Sequence, residues 1–275
     1  MVETPLGKKT IYPEKYQPDL LVSIPRSDNR LILGITTEVL PFEGADVWNA
    51  YELSYLNTQG KPISLHGRFV FPAESTNLVE SKSLKLYLNS LNQEHFDSNE
   101  HFASTIHGDL SRAADRRVGI FVFQLNEMSI PEYPNGTCLD HKKLDITECS
   151  VSKSLLEETS DTLFEELTEE ILYTNLFRSN CPVTNQPDWA TVTVCYQGKK
   201  IPHDALLKYL VSYRQHNDYH ENCVERIFCD LKDVFNPQSL TVEANFLRRG
   251  GLDISPIRST EKNLDYQAFP RLMRQ

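Results

Sequence analysis

Apolar and polar positions alternate with a period of two over 45–56 and again over 61–71, on either side of Asn57-Thr58-Gln59-Gly60, and this pattern predicts a β-hairpin. The period then lengthens. Leu84, Leu88 and Leu91 share one face of a helix predicted over 83–92, and Phe102, Ile106 and Leu110 share one face of a second over 98–113, ahead of a strand over 117–125. The second half repeats this order. Alternation over 189–196 runs into a Gln197-Gly198 turn, Pro202 opens a helix that reaches Tyr213, Val224, Ile227, Phe228 and Leu231 stripe the next helix, and 239–248 close as a strand. Residues 82–110 also align without gaps on 203–231 at an offset of 121, with identities at His95/His216, Asp97/Asp218, Glu100/Glu221, Ile106/Ile227, Asp109/Asp230 and Leu110/Leu231. Strand pair, helix pair and strand, given twice, predict an α+β chain in which each half is an antiparallel sheet with a helix pair on one face. The expected units are 1–130 and 161–275, with 131–160, turn-rich and then acidic, as connector.

Composition narrows the function. At 275 residues, with 40% hydrophobic and 24% charged positions, the chain has the make-up of a globular protein with a sizeable core. Its 28 basic and 38 acidic residues give a net charge of −10, which repels a polyphosphate backbone and argues against nucleic acid as a partner, leaving small ligands as the better expectation. No apolar run approaches the roughly 18 residues of a membrane span, and no signal-type stretch opens the chain, so a cytoplasmic protein with no membrane partner is expected. The six cysteines, at 138, 149, 181, 195, 223 and 229, form no Cys-x-x-Cys pair and no Cys/His ligand set; reduced thiols and no metal are expected. Asn135-Gly136-Thr137 reads as a turn.

Four segments carry chemistry. Ser179 to Trp189 is a loop between strands that holds Cys181 and Asp188, stiffened by Pro182 and Pro187. A thiolate can attack carbon while a neighbouring carboxyl gives a proton to the atom that gains charge, although most free cysteines only pack. Asp218-Tyr219-His220-Glu221 fits a capping box that would account for Asp218 and Glu221 without any function, and leaves the Tyr219-His220 pair as a bracket for a flat heterocycle. Glu80-Ser81-Lys82-Ser83-Leu84-Lys85-Leu86-Tyr87 is a charged helix start in which Lys82 and Lys85 share a face beside backbone N–H groups, a place for a phosphate or simply a solvated turn. Arg248-Arg249-Gly250-Gly251 with Arg258 is a second basic cluster, and no Gly-x-Gly-x-x-Gly occurs, so any dinucleotide is bound without a Rossmann loop.

Taken together, Glu80 to Tyr87, the Cys181 to Asp188 loop and Tyr219-His220-Glu221 resemble the 7-cyano-7-deazaguanine reductases, nitrile reductases of queuosine biosynthesis, in their two-module form. The run from Glu80 fits that family's signature at every position, and the likeness extends from the first hairpin to Arg-Arg-Gly-Gly-Leu-Asp and Arg258. The resemblance implies tandem tunnelling-fold units, and reduction of the nitrile to an aminomethyl group with two NADPH. By the same resemblance Cys181 would form a covalent thioimidate, Asp188 would pass a proton to nitrogen, and His220 would share positioning and proton transfer. Glu80, Ser81, Tyr219, His220 and Glu221 would hold the base. Lys82, Ser83, Lys85, Arg249, Gly250 and Arg258 would meet NADPH, and a homodimer is implied. A cysteine hydrolase built on Cys181 and His220, and a non-catalytic purine- or pterin-binding module, are the alternatives. Because each half keeps part of one site, Glu80 and Cys181 are expected in one pocket although they lie 101 positions apart.

Overall fold

The hairpin predicted from alternation exists, and so does its repeat. In chain order the elements are β1 (Ser23–Pro25), α1 (Ser27–Ile32), β2 (Glu43–Leu56), β3 (Pro62–Pro72), β4 (Asn77–Val79), α2 (Ser81–Ser90), α3 (Asn99–Ala114), β5 (Gly119–Gln124), β6 (Thr137–Cys138), α4 (Ser154–Glu157), β7 (Leu167–Asn180), β8 (Pro187–Lys199), α5 (His203–Ser212), α6 (His220–Phe235), β9 (Ser239–Phe246) and β10 (Leu252–Ser259). The computed structural model describes residues 12–36, 39–127, 130–146, 150–157, 167–266 and 270–275; Cys149 and parts of the expected connector lie outside them. Eight strands form one sheet in the order β5-β3-β2-β10-β9-β8-β7-β6, antiparallel except for β6 on β7, with β1 and β4 as a separate pair. Among the described residues no helix is long and apolar enough to cross a membrane.

Strand β10 was not expected, and it joins the halves. The reading of 239–248 as the last strand fails because β9 stops at Phe246 and the chain reverses through Arg249-Gly250-Gly251-Leu252, closed by Arg249 N donating to Leu252 O at 2.8 Å. Gly250 and Gly251 both have positive φ, 54° and 76°, as a tight hairpin turn of this hand requires. Strand β10 then pairs with β2 from Leu252↔Ala50 to Ser259↔Glu43. Its Pro256 and its polar Asp253, Ser255, Arg258 and Ser259 read as loop, yet all eight of its residues are buried.

The internal repeat is real in structure but its register is not constant. Tyr87 Oη donates to Asp109 Oδ2 (2.7 Å) and Tyr209 Oη to Asp230 Oδ2 (2.6 Å), while Ser90 Oγ and Ser212 Oγ each donate to a tyrosine carbonyl, Tyr87 O and Tyr209 O, at 2.6 Å. These bonds make α2 and α5 equivalent at an offset of 122, and α3 and α6 at 121. The second half is one residue shorter between Phe96/Asp218 and Ser98/Tyr219, so His95/His216 and Asp97/Asp218 are chance identities. The expected capping boxes shift with it. Ser98, not Asp97, caps α3 by accepting from His101 N; Tyr219 stands at the N-cap of α6 with no side-chain bond to the helix, and Glu221 is in no cap. Pro202 is the N-cap of α5, so the helix begins at His203, one residue after the predicted start.

Both helix pairs pack on the same face of the sheet. Leu84, Tyr87, Phe102, Ile106 and Leu110 bury against Trp48, Phe69 and Ile254, and Leu206, Tyr209, Ile227 and Phe228 against Ala190, Val192 and Val242. Between the two cores lies a cluster of fully buried ions. Arg258 meets Asp46 Oδ1 and Glu225 Oε1, each at 2.8 Å; Arg30 reaches Glu225 Oε1 at 2.7 Å; Arg26 pairs with the second oxygen of Asp46. Arg26, Arg30 and Asp46 come from one half, Glu225 and Arg258 from the other. An exposed pair such as Arg116 with Glu74 contributes between 0 and about 1 kcal/mol, whereas removing one partner of a buried, hydrogen-bonded pair costs about 3–5 kcal/mol because it strands the other charge. Arg258→Met is therefore expected to lower unfolding free energy by about 3–5 kcal/mol in urea titrations, against less than about 1 kcal/mol for Arg116→Met. Equal effects of the two would contradict this division.

Candidate active site

Cys181 is the first residue beyond β7, held in a turn by its own backbone. Cys181 N donates to Gln186 O at 2.8 Å, Asn185 N donates to Cys181 O at 2.9 Å, and Asn185 takes the left-handed φ of 57° that asparagine tolerates. The turn is tied to the start of α6: Asn180 N donates to His216 O (2.8 Å), Asp218 N donates to Asn180 O (3.1 Å), and Asn217 Nδ2 donates to Asn185 Oδ1 (3.0 Å). This lacing sets the thiol beside Tyr219, His220 and Glu221. Asp188, near the start of β8, shares a strand face with the core residues Ala190 and Val192, so it points to the helix side.

These residues line one cavity of about 400 Å³ together with Glu80, Ser81, Lys85, Arg249 and Gly250. Glu80 and Cys181 do share a pocket. Asp188 is 8% exposed and lies between His220 and Arg249, with its Oδ2 3.3 Å from His220 Nε2 and its Oδ1 3.3 Å from Arg249 Nε. The His220 ring stacks on Phe246, centroids 3.8 Å apart and planes 12° from parallel, so one face of the imidazole is covered. Burial pushes the Tyr219 hydroxyl up to about 12, with Glu80, Glu221 and Cys181 adding to the rise, as their shared cavity requires.

The two glutamates are poised differently. Glu80 caps α2, its oxygens accepting from Lys82 N (2.8 Å) and Ser83 N (2.7 Å), and burial raises its pKa while those bonds oppose the rise. Each oxygen keeps a lone pair for a ligand. Glu221 accepts only from its own backbone N–H; burial pushes it up to about 7, Asp46 adds to the rise, and His220, that backbone bond and Arg26 oppose it. Of the other cysteines, burial raises Cys195 to about 11, Cys229 to about 12 and Cys223 well above the usual thiol range, which leaves these as packing thiols.

Lys85, Gly250 and Leu252 also line a second cavity of about 180 Å³, with Tyr12, Glu52, Lys82, Asn89 and Gly251. Lys82 donates to Tyr12 Oη at 3.1 Å and lies 4.9 Å from the centre of its ring. Two expected dinucleotide contacts are corrected. Ser83 is fully buried, with its hydroxyl donating to Glu80 O (2.7 Å) and accepting from Val22 N (3.0 Å), so it shapes the helix start instead. Arg258 is fully buried in the ion cluster, lines neither cavity, and serves the core. The apolar walls, Ile24, Trp48, Leu247, Leu252 and Ile254, carried no signal in the sequence; Trp48, Leu252 and Ile254 are assembled by the pairing of β10 with β2, and Ile24 comes from β1. Among the described residues no group of three or more His, Cys, Asp or Glu is placed to hold a metal ion.

Residues 12–122 match the family model described as nitrile reductase, 7-cyano-7-deazaguanine-reductase N-term, and residues 187–265 the one described as QueF-like protein. The NADPH-dependent 7-cyano-7-deazaguanine reductase of Chromohalobacter salexigens is 48% identical over 257 residues, 93% of this chain and 91% of its own. Proteins of the same name from Coxiella burnetii and Rickettsia bellii are each 46% identical, over 95% and 98% of this chain and 93% and 97% of theirs. A solved archaeosine synthase QueF-Like, in the apo form, is 19% identical over 36% of this chain and 96% of its own with a TM-score of 0.31, a likeness too slight to bear on the fold.

The Glu221 carboxyl makes stability depend on pH with a defined sign. Its folded pKa of about 7 lies above the ordinary 4.5, so the stability it gives is fully present below about 4.5 and is lost as pH rises to about 7. Glu221→Gln is expected to unfold at relatively higher urea than the parent at pH 7.5 than at pH 5, by on the order of 2–3 kcal/mol. A difference independent of pH would place the carboxylate in a solvated site.

Proposed function

The chain belongs to the NADPH-dependent 7-cyano-7-deazaguanine reductases, and from that membership we propose how its cavity carries out the reaction. The activity is reduction of the nitrile of 7-cyano-7-deazaguanine to an aminomethyl group at the expense of NADPH, a step of queuosine biosynthesis. The observation that carries the assignment of roles is the convergence of Cys181, Asp188, His220 and Glu221 from one half with Glu80 and Lys85 from the other on a single cavity.

The base lies between the apolar walls, with Glu80 and Glu221 accepting from its ring N–H and exocyclic amine, edges at which a guanine-like ring presents donors. Ser81 and Tyr219 border that edge. Cys181 Sγ bonds to the nitrile carbon as one bond of the C≡N is lost, and the thiol proton ends on nitrogen by way of Asp188, giving a thioimidate. His220 keeps Asp188 turned toward the sulfur and shares its proton. Two hydrides from NADPH, each matched by a proton at nitrogen or on leaving sulfur, complete reduction to the amine and return the free thiol. Lys82, Lys85, Arg249 and Gly250 are the residues that suit its phosphates. Lys85 and Arg249 supply charge, and the 250–251 turn has no side chains in the way, since even a Cβ on Gly250 would come within 3.3 Å of Lys85 Cδ.

We read 1–130 and 161–275 as tandem tunnelling-fold units joined through 131–160, supported by the matching Tyr–Asp and Ser–carbonyl bonds of the two helix pairs. A cytoplasmic homodimer closing its sheets edge to edge, with no nucleic-acid or membrane partner, fits the exposed edge of β5 and the net charge of −10.

Mixing the protein with 7-cyano-7-deazaguanine and NADPH is expected to consume two NADPH per base, and intact-mass spectrometry without NADPH to show one adduct with the mass of the base. Cys181→Ala should lose adduct and turnover while still binding the base, and Asp188→Asn should slow turnover by about 10²–10⁴-fold. An adduct on Cys181→Ala would assign the nucleophile elsewhere.

A further inference from the structure

Asp188 is both the proton carrier of the reading above and a partner of Arg249, a residue assigned to the dinucleotide. Both roles cannot be served at once. Arg249 Nε stands 3.3 Å from Asp188 Oδ1, longer than the roughly 2.7–2.9 Å of a tight charge-assisted bond, and its side chain is 31% exposed against 8% for the carboxylate. The backbone beneath it is fixed: Arg249 N donates to Leu252 O (2.8 Å), Leu252 N to Arg249 O (3.3 Å), and Tyr51 N to Gly251 O (2.9 Å). Only the side chain is left to move. The groups facing Asp188 are His220 from α6, Arg249 from the β9–β10 turn, Lys85 from α2, whose ammonium feels both Asp188 and Arg249, and buried Cys223, which feels Asp188.

We infer that Arg249 exchanges partners, pairing with Asp188 in the free enzyme and leaving it for a dinucleotide phosphate, which releases Asp188 Oδ1 toward the reacting nitrogen when reductant is bound. A phosphate offers more charge and more acceptor oxygens to the planar guanidinium than one carboxylate oxygen at 3.3 Å, so the exchange is downhill once nucleotide arrives. The free ion pair thereby holds nucleotide affinity down, and Asp188 and the nucleotide compete for one cation. By linkage the competition is reciprocal. This rests on the assignment of Arg249 to NADPH.

The test is a double-mutant cycle read as the dissociation constant of NADP⁺, which binds without reducing anything. Asp188→Asn is expected to tighten NADP⁺ roughly tenfold in the parent and less than about twofold in Arg249→Gln. Asp218→Asn, which removes a carboxylate from the same cavity without touching Arg249, controls for general charge and is expected to change affinity less than about twofold. Equal tightening by Asp188→Asn in both backgrounds, or equal effects of Asp188→Asn and Asp218→Asn, overturns the exchange. A crystal structure of the parent with NADP⁺ needs no variant: the inference predicts Arg249 more than 4 Å from Asp188 with residues 249–252 unmoved, and an intact pair contradicts it. Failure of the parent to bind NADP⁺ at all would instead overturn the assignment of the nucleotide to this site.

Discussion

Three buried arginines balanced on two buried carboxylates hold this chain together. Arg258, on the strand that crosses from one half into the other, bonds Asp46 and Glu225 at once, and neither carboxylate could stay ionised in that interior without it: burial alone would raise both, and the arginines reverse the sign. The cluster costs desolvation, so it is poor evidence for great stability. What it supplies is a fixed relation between β2, α6 and β10. Each ion has one set of partners, and sliding any element by a residue would strand a charge.

That relation makes the cavity. Glu221 lies one helical turn before Glu225 on α6, and Ile24 stands two residues before Arg26, so the same two segments that feed the ion cluster also line the site. Burial and the nearby Asp46 raise Glu221, while His220, its own backbone N–H and, least, Arg26 oppose them, so it rises only to about 7. The thiol loop is laced to the other side of the same helix start. One half thus brings Cys181, Asp188 and Glu221; the other brings the capping glutamate and the lysines. Each half carries a different part of the cavity wall, so neither lines it alone.

Much of this was legible in the residues. Period-two alternation found β2, β3 and β8, and three-and-four spacing found α2, α3 and α6, because each buries one face and leaves the other wet, while Pro202 marked the start of α5. Every residue expected at the base or the nitrile lies on the larger cavity. The failures have physical causes. Strand β10 is buried on both faces and carries a proline, so no periodicity marked it. A gapless repeat concealed the missing residue before α6, and with it the fact that Glu221 is in no capping box. Ser83 and Arg258 were expected at the dinucleotide from the family resemblance, and on paper a hydroxyl or a guanidinium does not show whether it faces a cavity or satisfies a core.

The central claim is that one cavity, walled by both halves, holds the base while Cys181 bonds to it. The most direct measurement is a crystal structure of the protein soaked with 7-cyano-7-deazaguanine and no reductant. Continuous density from Cys181 Sγ to the former nitrile carbon, with the ring edge on Glu80 and Glu221, is the predicted result. A base bound away from Glu80, or an unmodified Cys181 with the adduct on another side chain, would contradict the account.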